Sequence, residues 1–246
     1  EEKDFIINNN KDLEPYFKIV LGSQEFIKGI RRWCLWVDNK DVSKLNESSE
    51  IVKRLDLVRR ERANSKKASY NKFADYPHKF VEIRHRDTNA LLIPGTSSER
   101  REYIPVGFTN SDTIINNLAF AIYDPESYIM GVLTSKMHMI WVKAVGGSLE
   151  TRIRYSSVLC YDTFPFPDIS QKQKDAITEL VYNILDEREK HSEKTLAQLY
   201  DPDKMPTGLR TAHHQLDLAI EQCYRKKPFE SDEERLEHLF KMYEEM

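Results

Sequence analysis

The apolar positions in the last third of the chain recur three times at the spacing of an amphipathic helix. The first predicted helix runs from about Ser170 to Lys194, and the second lies between Pro206 and Pro228. The third begins after Ser231, because this residue and Glu234 have the spacing of a capping box. The apolar stripes consist of Ile177, Leu180, Val181, Ile184, Leu185, Leu209, Ala212, Leu216, Ala219, Ile220, Cys223, Leu236, Leu239, Phe240 and Tyr243. The pattern predicts a small helical unit.

The preceding residues mix strand and helix periodicities. A helix is predicted over residues 49–64, and another over residues 126–145 that is apolar nearly all round, as a buried helix is. Gly146-Gly147 ends the second helix. Strands are predicted at residues 33–37, 79–86, 90–93, 103–108 and 118–123, from short apolar runs or from alternation of apolar and polar residues.

A domain boundary is predicted at Phe164-Pro165-Phe166-Pro167, because two prolines in four residues disfavour both a helix and a central strand. The fold class predicted is α+β. Residues 1–167 form a domain of mixed sheets and helices, and residues 168–246 form a C-terminal helical domain.

Charge is distributed unevenly, although the net charge is only −3. Residues 168–246 carry 12 Lys and Arg against 18 Asp and Glu, whereas residues 53–101 carry 13 basic and 6 acidic residues. A basic stretch on an acidic chain indicates either a local site for an anionic partner or a solvated helix face.

Several classes of protein are excluded. No apolar run reaches the roughly 18–20 residues of a membrane span, so no membrane partner is expected. Cys34, Cys160 and Cys223 are far apart and odd in number, which predicts reduced thiols and a cytoplasmic location. The start, Glu1-Glu2-Lys3-Asp4, does not resemble a signal peptide, and we expect a fragment of a longer chain.

Catalytic motifs are equally scarce. The 8 glycines include no Gly-x-Gly pair for a phosphate or cofactor loop, and no Asn-Pro-Pro-Tyr type loop for a flipped base occurs. His213 and His214 are adjacent on a predicted helix and point about 100° apart, so they cannot easily share a metal. His138 is predicted to be a core histidine. We therefore expect no catalytic residue, no metal and no cofactor in this chain.

Three polar segments remain as recognition candidates: Ser97–Arg101, Asn116-Asn117, and the run that contains Glu150, Arg152 and Arg154. Alternate residues of an extended segment lie on the same side, which brings the last three side chains together. Carboxylates can read cytosine, arginines guanine and asparagines adenine in the major groove of DNA. The other interpretation of this alternation is a salt-bridged surface strand.

Several blocks in order along the chain resemble the C-terminal half of MmeI-like type IIG (IIL) restriction–modification enzymes, which include adenine-specific DNA methyltransferases. The blocks are Leu21–Gly29 with Arg31–Trp36, Ser98–Pro105, Leu133–Met139, Tyr161–Pro167, Leu199–Pro202 with Met205-Pro206, and Ala212-His213 with Leu216-Asp217. The resemblance covers almost the whole chain.

The resemblance implies a target-recognition domain followed by a helical domain, in a chain that binds double-stranded DNA beside an upstream methyltransferase domain. The parent enzyme would use S-adenosylmethionine, with Mg as a candidate second cofactor if it also carries a nuclease. Base readout would come from Glu150, Arg152, Arg154, Asn116, Asn117 and Leu118. Contacts to the DNA backbone are expected from Ser97, Ser98, Arg100, Arg101, Lys66 and Lys67. The alternative functions are a protein–protein interaction module and, with no motif to support it, a hydrolase.

Overall fold

The computed structural model describes residues 1–149 and 152–246. The chain divides into two compact units. The smaller unit consists of residues 1–20, 31–87 and 112–114, and the larger unit of residues 21–30, 88–111 and 115–246. Helices occur together with small sheets, so the predicted α+β class is confirmed.

The described residues form ten α-helices and nine short strands. The helices are α1 (Glu2–Asn9), α2 (Ser23–Lys28), α3 (Ser49–Ala63), α4 (Ala68–Asn71), α5 (Ser127–Leu133), α6 (Lys136–Val145), α7 (Gln171–Glu189), α8 (Leu196–Leu199), α9 (Thr207–Tyr224) and α10 (Asp232–Glu244). The strands are β1 (Phe17–Leu21), β2 (Trp33–Leu35), β3 (Ala90–Pro94), β4 (Thr96–Ser98), β5 (Gly107–Thr109), β6 (Thr113–Ile115), β7 (Ala119–Tyr123), β8 (Gly147–Leu149) and β9 (Arg152–Arg154). Lys11–Tyr16 and Asn39–Glu47 form 3-10 helices, and Ser157–Tyr161 forms a π-helical turn.

The smaller unit contains a three-stranded sheet in the order β2-β1-β6 and the helices α1, α3 and α4. Its core consists of four buried side chains, Ile6, Leu13, Leu45 and Ile51. The helix predicted over residues 49–64 is confirmed as α3, and it begins where the Ser48 hydroxyl accepts a hydrogen bond from the backbone N–H of Ile51.

The strand predicted at residues 79–86 is wrong. At the start of this segment the Nη2 group of Arg62 donates to the backbone oxygen of Lys79 at 2.7 Å, and Nη1 donates to the carbonyls of Phe73 and Tyr76 just before it. Phe80 packs against the ring of Trp36, whereas Ile83 is 57% exposed. Alternation of apolar and charged residues predicts a strand only where a partner strand can satisfy its backbone. Here side-chain contacts hold the segment instead.

The larger unit contains two antiparallel sheets, in the orders β5-β3-β7 and β4-β9-β8. All five residues of β3 are buried, so the strand predicted at residues 90–93 is confirmed as a central one. The strand predicted at residues 103–108 begins only at Gly107, because Pro105 has no N–H and the Val106 N–H bonds back to the Ile104 oxygen at 2.8 Å.

The single helix predicted over residues 126–145 is in fact two helices, α5 and α6. Ser135 causes the break, because its hydroxyl donates to the Val132 carbonyl at 2.7 Å and accepts from the His138 N–H at 3.3 Å. One side chain thus serves the end of α5 and the start of α6. Thr134 strengthens the break by donating to the Ile104 carbonyl at 3.0 Å.

The three C-terminal helices predicted from the apolar stripes are confirmed as α7, α9 and α10, although α7 ends at Glu189 rather than near residue 194. Ser231 caps α10 by accepting from the Glu234 N–H at 3.2 Å. Helix α5 packs closely on α7 and α9, and a Cβ at Gly131 would lie 2.6 Å from a methyl of Ile177. Helices α5 to α10 and both sheets of this unit therefore contribute to one core.

Candidate nucleic-acid interface

Strand β9 presents Arg152 and Arg154 on one side of its sheet. Both arginines are exposed, whereas Ile153 between them is 7% exposed and packs into the core. This alternation follows from the pleat of a strand, which sends successive side chains to opposite faces. Arg152 lies opposite Ser98 of β4 in the ladder. We call the exposed side of β9 the β9 face. Glu150, the third predicted member of this group, lies outside the described residues.

Ser23, the first residue of α2, connects the two other segments predicted to take part in recognition. Its hydroxyl accepts hydrogen bonds from the N–H groups of Gly95, at 2.8 Å, and Thr96, at 3.3 Å. The same hydroxyl donates to the backbone oxygen of Leu118. Ser23 is 3% exposed, so these bonds are shielded from water. The segment at residues 95–98 and the loop at 116–118 are thereby fixed relative to each other.

Gly95 makes this close approach possible. A Cβ built at this position would lie 2.7 Å from the backbone oxygen of Leu118, which is closer than real Cβ contacts. The Gly95 carbonyl also accepts from the N–H of Tyr155, directly after β9, at 3.0 Å. A glycine is required here because the backbone of the loop passes directly over it.

In the loop at residues 116–118, one side chain stabilises the loop and two are exposed to solvent. The Asn116 side-chain oxygen accepts from the N–H of Leu118 at 2.9 Å, which closes a local turn. Asn117 is exposed, and Leu118 is 59% exposed. Of the three residues predicted to read bases here, Asn116 therefore shapes the loop, whereas Asn117 and Leu118 present their side chains to solvent.

A cleft of about 330 Å³ lies beside the β9 face. Three of the residues predicted to contact the DNA backbone line it, namely Ser97, Ser98 and Arg101, together with Arg152. The remaining lining residues are Ser23, Gln24, Ile27, Lys28 and Thr96. Sequence reasoning missed the contribution of α2 to this cleft, because α2 is separated from β4 by some seventy residues of chain.

The other predicted backbone contacts lie elsewhere. Arg100 is exposed and does not line the cleft; its Nη2 bonds to Asp203 at 2.6 Å, and this hydrogen bond raises the pKa of Arg100. Lys66 and Lys67 follow α3 in the smaller unit, where both are exposed and the Lys67 ammonium lies 5.6 Å from the ring centre of Tyr70.

A buried network of polar side chains joins the helices to the sheet region of the larger unit. We call Tyr103, Arg188, Tyr200, His213 and Asp217 the buried junction. Asp217 on α9 accepts from the Tyr103 hydroxyl at 2.7 Å and from the backbone N–H of Lys136 at 2.7 Å. Burial raises the pKa of Asp217 to about 7, and the neighbouring Glu221 adds to the shift.

The second half of the buried junction centres on Tyr200. Arg188 donates from Nε to the Tyr200 oxygen at 2.9 Å and from Nη1 to the Val106 carbonyl at 2.8 Å. Because an arginine can only donate, the phenol proton of Tyr200 goes to Nε2 of His213, 2.7 Å away. Burial lowers the pKa of His213, which keeps the ring a neutral acceptor. His213 also stacks on Tyr103, with the ring centres 4.1 Å apart.

The prediction that His138 is a core histidine is confirmed. His138 is fully buried on α6, and its Nε2 lies 3.0 Å from the Tyr155 hydroxyl. Burial lowers its pKa to about 3. The part of the chain that the structure describes holds no cluster of His, Cys, Asp or Glu suited to a metal ion. No helix in that part combines the length and apolar character needed to cross a membrane.

Comparison with known families decides the classification. The family model described as "MmeI, target recognition domain" matches residues 1–168. The chain belongs to the MmeI family. The model of the MmeI C-terminal domain matches the rest, residues 169–246. The family resemblance identified in the sequence is therefore confirmed, and this chain carries an MmeI target recognition domain followed by an MmeI C-terminal domain.

Two relatives extend this result. DNA methyltransferase A of Bacillus subtilis (strain 168) is 46% identical over 240 residues, which are 98% of this chain and 27% of that protein. The type IIL restriction–modification enzyme MmeI, whose structure was solved in complex with DNA, superposes with a TM-score of 0.93 at 39% identity. That match covers 99% of this chain and 33% of the MmeI chain. The present chain thus spans about a third or less of the length of these relatives.

Proposed function

We propose that this chain is the sequence-recognition region of a restriction–modification DNA methyltransferase, one that modifies adenine. It holds double-stranded DNA in position for an upstream methyltransferase domain of the same polypeptide in the cytoplasm. S-adenosylmethionine is then the cofactor of the whole enzyme, and Mg is required only if a nuclease accompanies it. This region itself contributes no catalytic group to the reaction.

The observation that carries this proposal is the geometry of the β9 face. A β-ribbon can enter the major groove of DNA, where arginine donates two hydrogen bonds to guanine. Arg152 and Arg154 lie on one exposed side of such a strand, and Ile153 anchors the other side in the core. The loop that carries Asn117 and Leu118 is tied by Ser23 to the segment that precedes β4. The two proposed reading elements are thus held in place by one set of hydrogen bonds.

Sequence discrimination by the full-length enzyme tests the proposal. Sequencing of modified DNA first defines the motif of the wild type, and binding is then measured to duplexes with single base-pair changes. We expect Arg152→Ala to lose discrimination at one base pair by about tenfold to a hundredfold, since a bidentate contact is worth roughly 1–3 kcal/mol. Arg210→Ala is the control, because Arg210 bonds within the protein to Glu102 and to the Pro202 carbonyl.

The two outcomes separate the candidate functions. A motif that relaxes at one position in Arg152→Ala and stays unchanged in Arg210→Ala supports readout from β9. An unchanged motif in both variants contradicts it. Absence of salt-dependent binding to duplex DNA by the wild-type enzyme would favour a protein–protein interaction module, because contacts to DNA phosphates make binding strongly dependent on salt.

A further inference from the structure

The cleft beside the β9 face has the composition of an anion site. Lys28, Arg101 and Arg152 contribute three positive charges to its lining. The hydroxyls of Thr96, Ser97 and Ser98 and the side-chain amide of Gln24 supply hydrogen-bonding groups. None of the described residues that line the cleft carries a carboxylate. The described lining thus presents positive charge and hydrogen-bonding groups to a negatively charged ligand.

Arg101 has an N–H group that donates to no acceptor among the described residues. Its Nη1 donates to the Ser97 hydroxyl at 3.1 Å, which holds the guanidinium at the wall of the cleft. Its Nε is buried and has no hydrogen-bond partner among the described residues. A buried guanidinium N–H left unpaired is destabilising, so an acceptor brought by a ligand would remove this penalty.

Lys28 faces the same space from α2. It is exposed, and its Nζ donates to the Gln24 side-chain oxygen at 3.3 Å. Among the described residues the ammonium of Lys28 thus bonds to a neutral amide, whereas many other lysines, such as Lys241 with Glu237, pair with carboxylates. Lys28 and Arg101 thus approach the cleft from two elements that Ser23 ties together.

We propose that this cleft is a phosphate pocket that holds one phosphodiester of the DNA backbone, with Lys28 and Arg101 as its principal ligands. The inference rests on the proposed function and adds residues of α2 to it. A phosphodiester suits the cleft better than free phosphate, because Arg152 lines the cleft and also belongs to the β9 face, where the bases of the same DNA are proposed to bind. The pocket would fix the register of the duplex, so that the base pair opposite Arg152 is always the same one.

The test uses the full-length enzyme, its cognate duplex, and Lys28→Gln with Lys172→Gln as the matched control. Lys172 is an exposed lysine on α7, and its substitution by Gln removes the same charge at a position that does not line the cleft. Each neutralised phosphate contributes about 0.9 to the slope of log affinity against log salt. We expect Lys28→Gln to lower that slope by about one, so that the affinity lost between about 50 and 200 mM salt shrinks roughly three- to fourfold. Lys172→Gln should leave the slope unchanged.

A second arm locates the phosphate. Duplexes with one uncharged methylphosphonate at each backbone position in turn are compared in the wild type and in Lys28→Gln. One position should weaken binding of the wild type and have no further effect in the variant. Addition of inorganic phosphate in place of chloride at equal ionic strength should leave wild-type affinity for DNA unchanged.

The outcomes are distinct. Equal slopes for Lys28→Gln and the wild type, or no backbone position at which the two proteins differ, would overturn the phosphate pocket while leaving the proposed function intact. Competition by inorganic phosphate that disappears in Lys28→Gln would assign the cleft to free phosphate and also overturn the proposal. Failure of the wild type itself to show salt-dependent binding would refute the proposed function.

Discussion

Arg188 and Arg152 belong to the same compact unit, but the two side chains lie in opposite settings. Arg188 directs its guanidinium inward, to the Tyr200 hydroxyl and the Val106 carbonyl. Arg152 has an exposed side chain on β9, at the wall of the cleft. Arg188 belongs to the buried junction, where hydrogen bonds of side chains stabilise the fold. Arg152 belongs to the β9 face, where backbone hydrogen bonds position the exposed side chains.

This difference predicts which residues can change without loss of the fold. In the buried junction, removal of one partner leaves another polar group unpaired and away from water, which is strongly destabilising. On the β9 face the frame is made by backbone bonds, by Ser23 and by Gly95, so exposed side chains can be replaced at little cost in stability. Changes in the first region should affect stability, and changes in the second should affect recognition.

The largest effect is expected from Asp217→Ala. This change leaves the Tyr103 hydroxyl and the Lys136 N–H without their buried acceptor. We expect unfolding free energy to fall by about 3 kcal/mol, measured by urea denaturation of the full-length enzyme. The DNA motif of the protein that remains folded should be unchanged. A loss below about 1 kcal/mol would show that the junction contributes little to stability.

Ser23→Ala should affect both stability and recognition, because Ser23 is buried and its hydrogen bonds position the segments beside the β9 face. Loss of its hydroxyl leaves two N–H groups and one carbonyl unsatisfied, and we expect a loss of about 2 kcal/mol in stability. Discrimination at the base pair nearest the 116–118 loop should fall as well. Ser135→Ala is the matched control, since Ser135 is also buried and its hydroxyl also both donates and accepts, but it caps α6. Equal discrimination in both variants would contradict a positioning role for Ser23.

A third effect concerns pH. The pKa of Asp217 is about 7 in the folded protein, against 3.8 for an ordinary aspartate. Between about pH 4 and pH 7 the folded state therefore keeps a proton that the unfolded state releases, so this group makes stability fall as pH rises through that window. The groups facing it, Tyr103, Lys136 and Glu221, are present in every variant compared.

Asp217→Asn should remove this contribution. The difference in unfolding free energy between wild type and variant should change by at most about 1.4 kcal/mol per pH unit within the window and become constant above it. Urea denaturation at several pH values from about 5 to 8 measures it. The buried neutral histidines His138 and His213 give an opposite slope below pH 6.5, which cancels in the difference because both proteins carry them. Parallel curves for the two proteins would refute the raised pKa.

The contrast between the two regions also explains how far the sequence could be interpreted. Amphipathic helices such as α7 and α9 were predicted because one face of a helix records its own burial in the sequence. The break at Ser135 was not predicted, because the residues around it form one apolar run. Nothing in that run indicates that the Ser135 hydroxyl bonds to the end of α5 and the start of α6. The strand predicted at residues 79–86 failed because alternation does not reveal whether a partner strand exists.

Site residues followed the same rule. The alternation of Arg152, Ile153 and Arg154 is local, so the sequence predicted which two side chains share a face. Ser23 and Lys28 gave no such signal, because Ser23 meets Gly95 and Leu118 across 72 and 95 residues of sequence. The buried junction is similarly assembled from residues far apart in the chain, such as Tyr103 and Asp217, and no local pattern indicates it.

The central claim is that the β9 face reads bases together with Glu150, and exchange of the charges at Glu150 and Arg152 tests this most directly. Glu150→Lys combined with Arg152→Asp is introduced into the full-length enzyme, and the methylated sites are mapped by sequencing. If Glu150 accepts from cytosine and Arg152 donates to its guanine, the preference should change from C·G to G·C at one position, with the rest of the motif unchanged. A motif identical to that of the wild type would show that Glu150 and Arg152 do not read bases and that the proposed readout is wrong.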